Sequence, residues 1–318
     1  MLRYILKRIA LGIITLFLLS VIVFALSQLL PGNVARAVLG QFATQDSVDA
    51  MNHEIGVDRP AVVQYLDYMK GFVHGDLGKS LATQVPVWSI LHPALVNSLK
   101  LAAFAFVIVV PLSILGGIVA GLRADSGTDR TITIFGLSMS AMPEFVTGII
   151  LILVFVIWLP LFPVTAQSDP GAGPLTQIRH LFLPSMCLAL VLFGYISRIT
   201  RAGVIEAADA DYTRAAYLKG LPTWVVIRRH VLRNALLPTI AVVATQTSYM
   251  VGGLLIVEGL FNYEGIGQQI YLAAQQKDFT VLTSAVLTLG IVVLIVTLVA
   301  DIIYGFLNPR IRLGAVAE

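Results

Sequence analysis

Long apolar runs separated by polar stretches set the pattern of this chain. Six runs stand out, at 9–30, 101–122, 131–159, 181–197, 236–257 and 279–302. Four of them contain no Asp, Glu, Lys or Arg; the third contains only Glu144 and the sixth only Asp301. A bilayer core of about 30 Å takes about 20 apolar residues of helix. In hydrocarbon the backbone must satisfy its own hydrogen bonds, which makes helices the natural spanning form. The pattern predicts an all-α polytopic membrane protein with six transmembrane helices. It divides the chain into a cytoplasmic N-terminus and first helix at 1–30, an extracytoplasmic loop at 31–98, and a core of five transmembrane helices at 99–318 that includes a cytoplasmic loop at 198–238. The loop mixes charges with Gly and Pro and is expected to be folded.

The first run is preceded by Arg3, Lys7 and Arg8, and Ala25-Leu26-Ser27 resembles a cleavage site. Its apolar stretch of about 22 residues exceeds the roughly 7–15 of a signal-peptide core, so a retained helix is expected. No short-period repeat or low-complexity tract is visible.

Composition agrees with the membrane reading. Apolar residues make up 57% of the chain and charged residues 12%, against about 45–50% and about 25% in soluble domains. Mean hydropathy is +0.87. The net charge of +3 reflects Lys and Arg in loops and gives no ground for nucleic-acid binding. The single cysteine, Cys187, leaves no intrachain disulfide to form. With the N-terminus inside, the inner segments hold 14 Lys and Arg and the outer segments seven of the 21. The positive-inside rule therefore places both termini in the cytoplasm.

One polar interruption, 198–238, is then a large cytoplasmic loop holding seven of the 21 Lys and Arg. Asp211 is expected to N-cap a short helix. Gly220 stands where a left-handed residue would end it, and Pro222 can open the next helix. Ala215 and Ala216 are small enough for another surface to approach the backbone. Trp224, Ile227, Val231 and Ala235 fall on one face of the second helix, with Arg228, Arg229 and Arg233 off it. The residues alone leave two readings open: a basic helix lying on anionic lipid, or a docking site for a cytosolic partner.

Ala215-Ala216, then Gly220, Ile227 and Leu237-Pro238, resemble the EAA loop of ABC importer membrane subunits. Arg214 stands where that family commonly has glutamate. Other segments resemble the B-type permease of its peptide and nickel branch. They are Phe24 to Pro31-Gly32-Asn33, Ile55-Gly56-Val57-Asp58-Arg59-Pro60, Gln64-Tyr65, Gly75-Asp76-Leu77-Gly78-Lys79-Ser80, and Val257-Glu258-Gly259-Leu260-Phe261 with Gly265-Ile266-Gly267. They occur in order over nearly the whole chain.

The resemblance implies a type I ABC importer fold and an ATP-driven importer of di- and oligopeptides. This chain would supply half the pore and hydrolyse nothing itself. A second, homologous permease would complete a heterodimer. Two cytosolic ATPase subunits or domains would bind ATP and Mg, and an extracytoplasmic binding protein would deliver substrate. The helix at 211–220 would be the coupling helix, with Asp211, Tyr212, Thr213, Arg214, Ala215, Ala216, Lys219 and Gly220 facing or shaping the ATPase contact. Nickel chelates, glutathione and haem are the family's other substrates.

Several sharper chemistries are weighed. Gly78-Lys79-Ser80 ends like a phosphate-binding loop, but that loop needs Gly at position 73 and Val73 is there. A turn in the outer loop is expected. Glu144 follows Pro143 inside a span, where a carboxylate is costly and faces an interior cavity by default. It is a candidate for the translocation path and for contact with a cationic group of the substrate; the bland reading is a protonated or interhelically bonded acid. The polar run Thr245-Gln246-Thr247-Ser248 occupies every face of a helix. Gln246 and Ser248 are candidate path residues, with interhelical hydrogen bonds of roughly 0.6 kcal/mol each as the alternative. No H-E-x-x-H motif is present and no histidine lies mid-span, so no hydrolase is expected. A secondary transporter using Glu144 or Asp301 as its proton site is the competing function.

Overall fold

In the computed structural model, residues 2–29, 34–40, 42–169 and 171–307 are described. Pro31, Gly32 and Asn33 of the first resemblance, and Arg310 and Arg312 of the charge count, lie outside them. Among the described residues there are helices and no named strand, with one isolated bridge between Lys79 and Pro86. Among the described residues five helices are long and apolar enough to cross a bilayer. A sixth span is made by two shorter helices if the bent pair is counted as one.

In order, α1 is Leu2–Leu29, α2 Val34–Leu39, α3 Gln45–Ile55, α4 Ala61–Val73, α5 Val87–Leu122, α6 Gly127–Ala141 and α7 Glu144–Ile152. A π-helical turn, Leu153–Trp158, extends α7. Then come α8 Pro174–Asp209, α9 Asp211–Leu218, α10 Thr223–Val226, α11 Leu232–Leu260, α12 Ile266–Gln276 and α13 Phe279–Leu307. The spans run past the apolar runs that predict them. The helix α5 begins at Val87, inside the stretch read as outer loop. The helix α8 starts at Pro174, with Gly173 before it, where a missing amide hydrogen costs nothing. It continues to Asp209, so Arg198 and Arg201 ride on the helix rather than in a loop.

The chain divides into two compact units. The first combines Leu6–Leu99 with Tyr263–Leu294. Here the quoted motif residues have local roles. Gly56, at φ +72°, ends α3 in the left-handed region, which suits a residue without Cβ. Asp58 pairs with His53 at 2.8 Å, and that hydrogen bond holds its carboxyl below the ordinary carboxylate value. Gln64 donates to the carbonyls of Val57 and Arg59, bracing the turn into α4. Tyr65 meets Ser20 on α1 at 2.8 Å and packs its ring on Phe24. Gly78-Lys79-Ser80 forms the expected turn: Ser80 donates to the buried carboxylate of Asp278, just ahead of α13. Leu77, Val87, Leu91, Ile266 and Val281 make the core beneath it.

The second unit contains Lys100–Asn262 with the described parts of the two chain ends. Its centre is α8, against which α6, α7 and α11 pack. Of its most apolar window 61% is buried, against 28% or less in the other four spans, so α8 is the core helix of this unit. Close approach depends on glycine. A Cβ on Gly194 would strike the Gly136 carbonyl of α6, and one on Gly203 would lie 2.6 Å from the Ala235 carbonyl of α11. Below that contact Val204, Ala207, Val231 and Ala235 form a second core cluster.

Three local expectations are corrected. Asp211 is the first residue of α9 and not its N-cap; Ala210, at φ −67° and ψ 147°, holds that position without a side-chain bond. The carboxylate still sits in the first turn, where the helix dipole favours it. Pro222 precedes α10 as its cap residue and does not open it. The apolar face of the following helix is not the one a 3.6-residue period predicts. A π-helical turn at Ile227–Val231 inserts one residue, so Val226 joins Val231 and Ala235 inside while Trp224 is 63% exposed. This segment runs on without a break into α11 as part of one span, Thr223–Leu260.

Candidate functional site

Two places in the second unit combine unusual backbone with exposed polar chemistry. The first is α9. Its polypeptide leaves α8 through the extended residue Ala210. Thr213 donates from Oγ1 to the Ala207 carbonyl at 2.7 Å, closing the corner. Thr213 and Ala216 are buried, one turn apart, and seat α9 on its own chain. The opposite face carries Asp211, Tyr212, Arg214, Ala215 and Lys219, all exposed. The helix ends in a Schellman motif: Gly220 N–H donates to Tyr217 and Leu221 N–H to Ala216, with Gly220 at φ +73°. Of the eight residues singled out in the sequence, Thr213 and Ala216 thus point inward. Two that sequence reasoning passed over point outward: Tyr217 is 46% exposed and Leu218 90%. The available signal was an apolar Leu218 two residues before a helix-ending glycine, where no core can cover it.

The second place is the break between α6 and α7. The two helices bend by 109° at Met142–Pro143, because proline lacks the donor that would continue α6 and biases its neighbour away from helical geometry. The break makes Glu144 the first residue of α7. Cys187 Sγ on α8 donates to the Glu144 carbonyl at 3.1 Å, pinning this turn. Beside it opens a cavity of about 330 Å³ lined by Ser140, Glu144, Tyr195, Gln246, Tyr249 and Gly253, with apolar side chains of α8 and α11. Glu144 and Gln246 therefore share one cavity. Ser248 does not line it: its hydroxyl is 2.9 Å from Thr297 of α13, an interhelical hydrogen bond. Tyr195, missed in the sequence, lines the cavity and carries Arg198 against its ring at 5.5 Å.

Residues 113–313 match the family model for the binding-protein-dependent transport system inner membrane component. Residues 1–102 match that for the N-terminal part of the membrane component of such systems. The chain belongs to this family. It is an ABC permease, the membrane component of a binding-protein-dependent transport system, and the reading as a self-contained secondary transporter falls away. The permease is 32% identical to the di/tripeptide transport system permease protein DppB of Pseudomonas aeruginosa, over 98% of this chain and 99% of that one. It is 31% identical to the dipeptide transport system permease protein DppB of Alkalihalophilus pseudofirmus, over 98% and 100%. The glutathione transport system permease protein GsiC of Escherichia coli is 32% identical over 98% and 99%. An amino acid ABC transporter whose crystal structure was solved with histidines superposes with a TM-score of 0.50. It is 15% identical over 68% of this chain and 93% of that one, a likeness of fold alone.

Proposed function

We propose that this permease forms half the pore of an ATP-driven importer of di- and oligopeptides. A second homologous permease supplies the other half, and an extracytoplasmic binding protein delivers the peptide. ATP and Mg bind on two cytosolic ATPase subunits or domains, and hydrolysis takes place there. Both termini and the 198–238 segment lie on the cytoplasmic side of the inner membrane. Glu144 and Gln246 line the translocation path, while Ser248 contributes through α13.

The observation that carries the reading is the outward face of α9. A helix held to its own chain by Thr213 and Ala216, with Tyr212, Tyr217 and Leu218 left uncovered, suits a cleft on a soluble partner better than lipid. Anionic lipid would be met by a continuous basic face, and α9 offers only Arg214 and Lys219 beside its one acid, Asp211. In the proposed cycle, closure of the paired ATPases carries α9 with it. Because α9 leaves α8 through the single extended residue Ala210, its movement is passed to the helix on which α6, α7 and α11 pack.

The experiment co-expresses the chain with the transport subunits encoded beside it and measures uptake of labelled alanyl-alanine and of glutathione. Import stopped by vanadate and insensitive to a protonophore is expected. Leu218→Arg should abolish copurification of the ATPase while leaving the permease in the membrane. Uptake collapsed by the protonophore alone, or full copurification with Leu218→Arg, would overturn the reading. Glutathione stays as the second substrate because GsiC is as similar to this chain as the peptide permeases are.

A further inference from the structure

We propose that the cavity beside Glu144 is a selectivity site for a primary ammonium group, holding the α-amino end of a peptide as it passes. The proposal rests on the peptide reading above and names the chemistry of one point on that path. Glu144 is the single carboxylate among the cavity's lining residues. It lies half-buried within a span, and among the described residues no side chain hydrogen-bonds it. An intramembrane acid in that position calls for a counter-charge from the cavity it faces.

The surroundings leave the carboxylate reachable from the cavity. It stands in the first turn of α7, where free amides and the helix dipole favour negative charge. Its backbone is tied to α8 through Cys187. Its flank is open because residue 253 is glycine: a Cβ there would sit 3.3 Å from Oε1 and 3.1 Å from Leu188 Cδ2. In the same cavity Gln246 offers both a donor and an acceptor, the complement of a peptide group. The ring of Tyr249 is 69% exposed and presents a face that attracts an ammonium, whereas the Tyr195 ring already carries Arg198. Arg198 lies against that ring at 5.5 Å, and among the described residues it forms no ion pair with Glu144. A volume of about 330 Å³ is at the small end of the roughly 300–1,000 Å³ of ligand sites, right for the end of a peptide and not for a folded chain.

The test uses the complete transporter in proteoliposomes with saturating loaded binding protein. It reads the number of alanyl-alanine molecules carried per ATP hydrolysed. Glu144→Gln should lower that ratio tenfold or more, and Glu144→Asp should recover a substantial part of it. A purely structural defect would reduce transport and hydrolysis together and leave the ratio unchanged, which would overturn the proposal. Gly253→Ala crowds the carboxylate without altering its charge and should lower the ratio in the same direction; it decides the matter if Glu144→Gln does not assemble. An unchanged ratio in Glu144→Gln, or in Gly253→Ala where Glu144→Gln does not assemble, overturns the ammonium site alone. A wild-type complex that carries neither alanyl-alanine nor glutathione overturns the peptide reading, and this inference with it.

Discussion

Arg201 on α8 grips Asp129 on α6 with both arms of its guanidinium, Nε to Oδ1 at 2.6 Å and Nη2 to Oδ2 at 2.7 Å. Asp129 also accepts from the Asp125 amide and from Thr133 Oγ1, while its own amide is capped by Ser126. The carboxylate is 4% exposed and the guanidinium 28%. One buried acid thus fastens the start of α6 to α8, two turns before α8 leads into α9.

Asp129→Asn should be strongly destabilising. Removing one partner of a buried pair leaves a desolvated charge and costs about 3–5 kcal/mol. Arg201 can still reach some water, which places the expected loss near the lower value. Arg201→Lys should also destabilise, because an ammonium cannot reproduce the two parallel bonds. The measurement is the thermal unfolding midpoint of the detergent-solubilised permease. Midpoints equal to wild type for both variants would show that the clamp contributes nothing.

Gly194→Ala tests the closeness of α6 and α8. The added methyl would strike the Gly136 carbonyl oxygen, and backbone yields less easily than a side chain. Overpacking costs about 1–3 kcal/mol, and the upper end is expected here. Gly252→Ala is the control, since a Cβ there meets nothing within 4 Å. Membrane levels should fall for the first variant and hold for the second. Equal levels would mean that the helices separate freely.

Asp278→Ala should loosen the 79–86 turn. Asp278 is 2% exposed. It accepts from the Val281 amide as the cap of α13, and from Ser80 Oγ and the Ala82 amide of the turn. Losing a cap costs about 0.5–2 kcal/mol, and the turn's orphaned donors add to that. Limited proteolysis of the purified protein should cut between 79 and 86 faster in the variant, with Asp278→Asn between the two. Cleavage at the wild-type rate would refute the tie.

Much of this architecture is legible in the sequence because hydrocarbon imposes a simple code. Apolar runs of about 20 residues mark spans, and Gly220 marks a helix end whose φ of +73° few other residues tolerate. The code fails where backbone departs from a single period. Nothing local announces the π-helical turn at Ile227–Val231, which moves Trp224 out and Val226 in. Pro143 signals a kink but not a 109° bend, since the angle depends on how α6 and α7 each pack on α8. The site is legible in its chemistry and illegible in its facing. Glu144 and Gln246 are 102 residues apart, and only the packing of α7 and α11 on α8 brings them to one cavity while Ser248 turns to Thr297. Thr213 and Ala216 lie in a motif read as a contact surface, yet their period puts them on the inner side of α9.

Gly220→Val separates the geometry of α9 from its contacts. No atom lies within 4 Å of a Cβ at this position, so any effect comes from the backbone. A left-handed conformation costs an ordinary residue about 1–2 kcal/mol, and a β-branched one is a genuine outlier there. The Schellman bonds from Gly220 and Leu221 should open, and Leu218 should lose its fixed direction. The cost is too small to block insertion of a chain anchored by its spans, so normal membrane levels are expected with transport lost. Gly220→Asn, whose side chain tolerates the left-handed region, should retain most of the uptake. Wild-type uptake by Gly220→Val would show that transport does not depend on how α9 ends, whereas a failure of both variants to insert would assign Gly220 to folding instead of coupling.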